Sequence, residues 1–346
     1  MKQTELSFVT GLQLDTSPVP GVVFRNFQGE SDYPHILAVI NGSKAADGVQ
    51  RSDTLEDVTR NYAHLHNCDP YQDMLFAEVD AKVVGYCRAW WNITGDGNFI
   101  GFHLAFLLPE WRRKGIGTAF VRFCEDRMRR TARHMLECGN LNPDTPCFFD
   151  IFASETEKGK EALLLKESYN PIRYFFDMVR PDLENIPEAP LPEGLEVRPV
   201  LPDHYRLIWD ASNEAFRDHW GYIPEPDEEF EKMLEAPNFD PSLWRVAWGG
   251  DQVAGMVLSF INDVENNEYG RKRGYTENIC VRRPWRKRGL ARGLIVQSLH
   301  AIKERGMQEA ALGVDSENIS GALRLYESCG FQTVKRNAAF RKPFDL

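Results

Sequence analysis

Three landmarks occur twice in this chain, in the same order and 170 to 174 residues apart. The arginine of VVFRNF at Arg25 returns in LEVRPV at Arg198, and the glycine of VVGYCRAWW at Gly85 returns in VAGMVLSF at Gly255. The turn Arg112-Arg113-Lys114-Gly115-Ile116-Gly117 returns as Arg286-Lys287-Arg288-Gly289-Leu290-Ala291. A separation that long is the length of a domain rather than of a solenoid repeat, so one domain is written twice. Between the copies runs RPDLENIPEAPLPEG, whose prolines at 181, 187, 190 and 192 exclude a regular helix or a central strand. An extended linker is expected there, dividing the chain into residues 1–185 and 186–346.

Each copy is long enough to bury its own core. A formal net charge of −10 argues against general affinity for nucleic acid or an anionic membrane. No apolar run approaches the ~20 residues of a membrane-spanning helix, and the start MKQTELSFVTGLQLD lacks the apolar core of a signal peptide. The 7 cysteines are scattered with no CxxC pair, so neither a zinc site nor a disulfide framework is indicated. A cytoplasmic protein without a metal is expected, as a monomer or a homodimer.

The second copy reads as mixed α/β (α+β). Strands are expected over 195–200, 243–248, 252–261, 276–281 and 310–314, by alternation and turn signals. Helices are expected over 203–216, with Asp203 as a cap, through PDEEFEKMLEA, from Leu290 to a stop at Gly306, and over 320–328. The basic turn therefore joins a strand to the N-terminus of an amphipathic helix. Such an end offers unpaired N–H groups and the positive end of the helix dipole. Gly289 lets a bulky anion approach the backbone, and Arg286, Lys287 and Arg288 add mobile cations. Together they would form a pyrophosphate cradle. The dipole alone contributes only ~0.3–1 kcal/mol, so several N–H bonds to charged oxygens are required. A solvated basic helix start is the plain alternative, and its occurrence twice, each time between a strand and a helix, weakens it. No GxxxxGK[ST] is present, and the turn has no GxGxxG.

The two R-x-x-G-x-A/G turns, together with NISGALRLYESCGF from Asn318 to Phe331, resemble the GNAT N-acetyltransferase superfamily. The last segment is similar to that family's asparagine, alanine and L-Y-x-x-x-G-F. Both copies are covered, so the chain resembles a tandem GNAT, and its layout, including EAFRDHWG, is similar to mycothiol-synthase-like members. The resemblance implies two tandem domains, each with a mixed, splayed central sheet flanked by helices, and acetyl-CoA as acyl donor. It implies that Ile279, Cys280 and Val281 line the pantetheine with their backbone. Arg286, Lys287, Arg288, Gly289, Leu290, Ala291 and Arg292 would hold the diphosphate, with Asn318 contacting the coenzyme. A second coenzyme site would be made by Leu107, Arg112, Arg113, Lys114, Gly115, Ile116, Gly117 and Thr118.

An amine acceptor with a pKa near ~10.4 is free of its proton in only about one molecule in a few thousand at pH 7. A positioned base is therefore valuable, and the leaving thiolate gains from an acid. Glu277 is the candidate base, placed by strand alternation on one face with Ile279 and Val281. Its alternative is an ordinary strand carboxylate. Tyr326 matches the family's tyrosine and is the candidate acid; outside the motif it would read as core. His219, Trp220 and Tyr222 are candidate acceptor-pocket residues beside an acidic helix. Cys280 and Cys329 read as packing residues, which favours direct attack.

The first copy departs from the pattern. Aligning Ala162 with Ala322 sets Lys166 opposite Tyr326 and Asn170-Pro171 opposite Gly330-Phe331, while a constant offset sets His103 opposite Glu277. That half is expected to be degenerate. The function expected is acetyl transfer from acetyl-CoA to a primary amine of a small molecule. A non-catalytic acyl-CoA-binding regulator or scaffold, and a protein N-acetyltransferase, stand as alternatives.

Overall fold

A computed structural model of the chain describes residues 20–318 and 321–346. The first half contributes strands β1 (Val22–Arg25), β2 (Met74–Val79), β3 (Lys82–Ile93), β4 (Phe99–Leu107), β5 (Cys147–Ser154) and β6 (Asn170–Arg180). Its helices are α1 (Tyr33–Asp47), α2 (Leu55–Ala63), α3 (Pro70–Asp73), α4 (Ile116–Glu137) and α5 (Lys158–Lys166). The second half repeats the plan with β7 (Glu196–Val197), α6 (Tyr205–Phe216), α7 (Asp227–Leu234), β8 (Arg245–Gly249) and β9 (Gln252–Ile261). It continues through α8 (Asp263–Tyr269), β10 (Arg273–Val281), α9 (Leu290–Glu304), β11 (Glu309–Asp315), α10 (Ala322–Ser328) and β12 (Gln332–Phe344).

These strands make one sheet, ordered β1-β2-β3-β4-β5-β12-β6-β11-β10-β9-β8-β7. The last strand of each half has crossed to the other: β12 pairs with β5 from Asn337↔Ser154 to Phe344↔Cys147, and β6 pairs with β11 from Ala310↔Arg180 to Asp315↔Phe175. The two exchanged strands also pair with each other. Within each half an antiparallel meander meets one parallel step. β4 pairs with β5 only over Phe99–Phe102, and β10 with β11 only over Arg273–Tyr275. Beyond those residues the strands splay.

Helices cover both faces. Leu290, Leu294, Ile295, Leu299 and Ile302 recur at helical spacing and bury one side of α9 in a core with Ala310, Leu312, Tyr326 and Phe331. On the opposite face α6 packs Ile208, Ala211 and Ala215 against Met256, Leu258 and Cys280. The first half mirrors this, with α4 on one face and α1 and α2 on the other.

Residues 181–195 contain neither helix nor strand, as the prolines require. The strand expected over 195–200 shortens to two paired residues, and α6 starts at Tyr205 after a 3-10 turn without a side-chain cap from Asp203. The expected start of the last helix at Ser320 lies outside the described residues, as does the MKQTELSFVTGLQLD segment. Sequence reasoning missed α8. Asn262 caps it by accepting from Glu265 N–H, and it docks on the first half. There Tyr269 Oη donates to Arg51 O (3.1 Å), Arg271 Nη1 donates to Gln50 Oε1 (2.6 Å), and Glu268 holds Lys44 and Ser52. No helix among the described residues is long and apolar enough to cross a membrane.

Candidate active site

A bulge in β10 builds one wall of the site. Glu277 pairs with Leu258 and Cys280 with Met256, leaving one extra residue in β10, and Asn278 takes a φ of 47°. Asparagine tolerates this left-handed conformation better than most residues. The bulge switches the alternation. Ile279 and Val281 pack with the α9 core, whereas Glu277 stands opposite Leu258 on the α6 face. The expectation that Glu277 shares a face with Ile279 and Val281 is corrected: strict alternation fails wherever a residue is inserted.

The basic turn has the expected backbone. Lys287 and Gly289 both have positive φ (61° and 84°), and α9 begins at Leu290. The first bond within the helix turn runs from Gly293 N–H to Gly289 O (3.2 Å), so the N–H groups of Leu290, Ala291 and Arg292 have no carbonyl one turn back. A Cβ at Gly289 would meet nothing within 4 Å, so open space lies against those amides. The turn fits a diphosphate. Two side chains differ from expectation. Arg286 is not mobile: its Nε donates to Val281 O (2.8 Å), and its two terminal nitrogens donate to Asp218 Oδ2 (2.6 Å) and Ala215 O (3.0 Å). It clamps the turn to α6, and with Arg283 it holds the Asp218 carboxyl well below the usual carboxylate range. Arg288 donates to Glu193 O (3.1 Å) in the linker and is not among the residues that line the cleft.

Between the turn, the splay of β10 and β11, and α10 lies a cleft of about 1090 Å³. Glu277, Ile279, Cys280, Val281, Arg286, Lys287, Gly289, Leu290, Ala291, Arg292, Asn318 and Tyr326 all line it. His219 and Trp220 line it too, but Tyr222 turns away, its carbonyl accepting from Gly95 N–H (2.8 Å) in the first half, and no residue of α7 reaches it. Burial pushes Glu277 up to about 7; the Gly313 N–H opposes this and the nearby Asp177 charge adds to it. Burial, with Glu277 nearby, also raises Tyr326, which is 6% exposed. Sequence reasoning missed the contribution of the exchanged strand. Arg173, Phe175 and Asp177 of β6 form part of this wall, and only the sheet order reveals it.

The model of the acetyltransferase (GNAT) family matches residues 38–148 and 203–331, more than half of the chain and once in each half. The chain belongs to the GNAT acetyltransferase family. Mycothiol acetyltransferase of Geodermatophilus obscurus is 24% identical over 313 residues, spanning 89% of this chain and 93% of its own. Its counterpart in Salinispora arenicola is 26% identical, spanning 87% and 91%. In fold the chain is similar to a GCN5-related N-acetyltransferase from Sphaerobacter thermophilus (TM-score 0.69, 24% identity, 95% and 98% covered). A tandem GNAT protein of the clavulanic acid biosynthesis pathway is also similar (TM-score 0.63, 15% identity, 93% and 98% covered).

This tandem GNAT acetyltransferase has two unlike halves. The first keeps the turn. Arg113 and Gly115 have positive φ, Arg112 Nε donates to Leu107 O (3.1 Å), and its guanidinium grips Asp47 (2.6 and 2.9 Å). Ile116 is fully buried, Lys114 lies over the Trp111 ring (4.2 Å), and a Cβ on Gly117 would stand 3.0 Å from Leu163. The strand beside it differs. β4 pairs with β3 without a register shift, so the residue that bulges in β10 has no counterpart. Gly101 packs on Met128 of α4 as Gly274 packs on Ile302 of α9. Counted from there, His103 matches Thr276, and Leu104 takes the place of Glu277.

At the other end, Ser168 (φ 68°) matches Gly330 (φ 88°) after equivalent helix ends. Tyr169 then matches Phe331, and the fully buried Leu164 matches Tyr326. The expected pairings of Lys166 with Tyr326, Asn170-Pro171 with Gly330-Phe331, and His103 with Glu277 are thus corrected. His103 is a core residue: its Nε2 lies 2.9 Å from Tyr169 Oη, and burial brings it down to about 3.

Proposed function

We propose that residues 186–346, completed by β6, transfer an acetyl group from acetyl-CoA to a primary amine of a small molecule by direct attack. The carrying observation is the cleft in which Glu277, Tyr326 and the amides at the start of α9 converge. Curated relatives that span about nine-tenths of the chain are named mycothiol acetyltransferases, which supports a small-molecule acceptor.

The turn from Lys287 to Arg292 would hold the diphosphate, and the splay beside Ile279–Val281 would take the pantetheine arm. When bound, the coenzyme supplies an acyl thioester. Glu277, at about 7, is partly ionised near neutrality and accepts the amine proton at its carboxylate. The Tyr326 phenol, kept neutral by burial, donates to the departing sulfur from the other side. Burial pushes the Cys280 thiol up to about 12 and raises Cys329 as well, so neither supplies a thiolate for a covalent route. Residues 1–185 are read as a non-catalytic unit, because leucines stand where the base and acid would be. Its turn keeps the shape of a second diphosphate site.

The test follows coenzyme release and product formation over a panel of small primary amines with wild type, Glu277→Gln and Tyr326→Phe. Transfer by wild type and its loss in both variants is expected. Tight acyl-CoA binding with no product from any amine would identify a binder instead, and an acetylated cysteine trapped without acceptor would overturn direct attack.

A further inference from the structure

The proposed catalytic half does not complete its own cleft. Asp177 belongs to β6, from the first half, and it pairs directly with Gly313 of β11. Residues 310, 312 and 314 of β11 enter the α9 core, so Gly313 and Asp177 present the opposite face, the one that carries Glu277. Gly313 lacks a side chain between the two carboxylates, and a Cβ there would meet nothing within 4 Å. Asp177, Gly313 and Glu277 all line the cleft. Two strand spacings set the backbones of Asp177 and Glu277 about 10 Å apart, and the splay of β10 from β11 widens the gap.

Asp177 is held but not consumed. Asn337 Nδ2 of β12 donates to its Oδ1 (2.9 Å), and among the described residues this is its one hydrogen bond. Lys335, paired across from it, donates instead to Gly48 O (3.2 Å). Arg173, on the same face of β6, is committed to Asp315 in a two-pronged pair (2.9 and 2.8 Å), and Arg273, whose charge also acts on Asp177, donates to Glu309 (2.7 Å). Asp177 Oδ2 thus accepts no hydrogen bond from a side chain among the described residues, and the Lys335 and Arg273 charges act on it without one. No residue in the catalytic assignment uses it.

We propose, resting on the amine-transfer reading above, that Asp177 is an acceptor-specificity residue that binds a second hydrogen-bond donor of the acceptor. The acceptor class is then a primary amine carrying a hydroxyl or a second amine across a small rigid scaffold. The reacting amine sits at Glu277 and the second donor spans the Gly313 gap to Asp177. A carboxylate in this place rejects acceptors that put an apolar carbon or an anion there, because its desolvation would go uncompensated.

The experiment compares kcat/KM for cyclohexylamine, trans-4-aminocyclohexanol and trans-1,4-diaminocyclohexane with acetyl-CoA. Wild type is expected to prefer both bifunctional amines over cyclohexylamine by at least tenfold. The relative rates of alcohol and diamine tell whether a hydroxyl or a charge is recognised. Asp177→Asn retains an oxygen for the Asn337 amide and is expected to bring the preference ratio to within threefold of unity. Gly313→Leu fills the gap without touching Asp177 and is expected to cut turnover of the bifunctional amines at least tenfold more than that of cyclohexylamine. A wild-type ratio near unity, or a ratio that both variants leave intact, overturns the proposal. Acyl-CoA binding with no transfer to any of the three amines overturns the amine-transfer reading, and this inference with it.

Discussion

Glu277 and Tyr326 reach the same cleft from opposite faces of the sheet. Glu277 stands on the α6 face opposite Leu258, whereas Tyr326 belongs to the α9 core, and they meet only because β10 and β11 part after Tyr275. The proposed base and acid therefore flank the plane of the strands, on either side of a group lying in the splay. Replacing Tyr326 by Phe removes one oxygen from a buried ring. It is expected to lower kcat by about 10²–10⁴ while leaving the acyl-CoA dissociation constant nearly unchanged, as read by steady-state kinetics and calorimetry. Equal losses in binding and turnover would make the hydroxyl a packing or binding group.

With Glu277 as the proposed base, an acidic limb is expected. Burial pushes its carboxyl up to about 7, so the proton is increasingly held below that pH. A general base must be ionised, so kcat/KM is expected to rise tenfold per pH unit up to about pH 7 and then level. Glu277→Gln should abolish the limb. Because the folded state holds this proton more tightly than the unfolded chain, stability falls as pH rises from about 4.5 to 7 and is flat above. Glu277→Gln should accordingly melt no lower than wild type at pH 8, measured by thermal scanning calorimetry.

Gly289 combines a positive φ with open space in front of the α9 amides. A valine there costs roughly 1–2 kcal/mol in backbone strain and sets a side chain where a diphosphate would lie. Acyl-CoA affinity is expected to fall at least tenfold, with a far smaller change in melting temperature. Calorimetric titration of wild type and Gly289→Val decides it, and equal affinities would remove the cradle from the mechanism.

In the first half, Tyr169 Oη and His103 Nε2 satisfy each other in the core. Tyr169→Phe leaves the imidazole nitrogen unpaired and should destabilise the fold by about 1–3 kcal/mol in urea unfolding. Turnover should stay within twofold of wild type. A large loss of activity at unchanged stability would instead give the first half a direct part in the chemistry.

The duplication and the strand–turn–helix around Gly289 were legible because each rests on local patterns, whereas Tyr326 was reached only through the resemblance of its segment to the family. Glycines at required dihedrals, a cationic turn and helical periodicity all leave marks within a dozen residues. What escaped depends on the insertion or pairing of strands. One extra residue at Asn278 moved Glu277 to the other face and shifted the correspondence of the halves, so His103 lost its match and Leu104 took it. Arg286 reads as a free cation in sequence because Asp218, its partner, is 68 residues away. Asp177 could not be placed at all, since β6 reaches the second half only through the sheet order. Two signals were available and weak: Ser168 before an aromatic echoes Gly330-Phe331, and NDVENNEYG carries the cap and stop of a short helix.

Because β12 is clasped between β5 and β6, and β6 between β12 and β11, cutting the polypeptide within residues 181–194 would not yield two separable proteins. The fragments would stay zipped together along three ladders, and pulling them apart would strip a strand from each. Any change that frays the carboxyl-terminal strand is thereby felt in both halves at once, so the two halves are mechanically tied whatever each contributes to the chemistry.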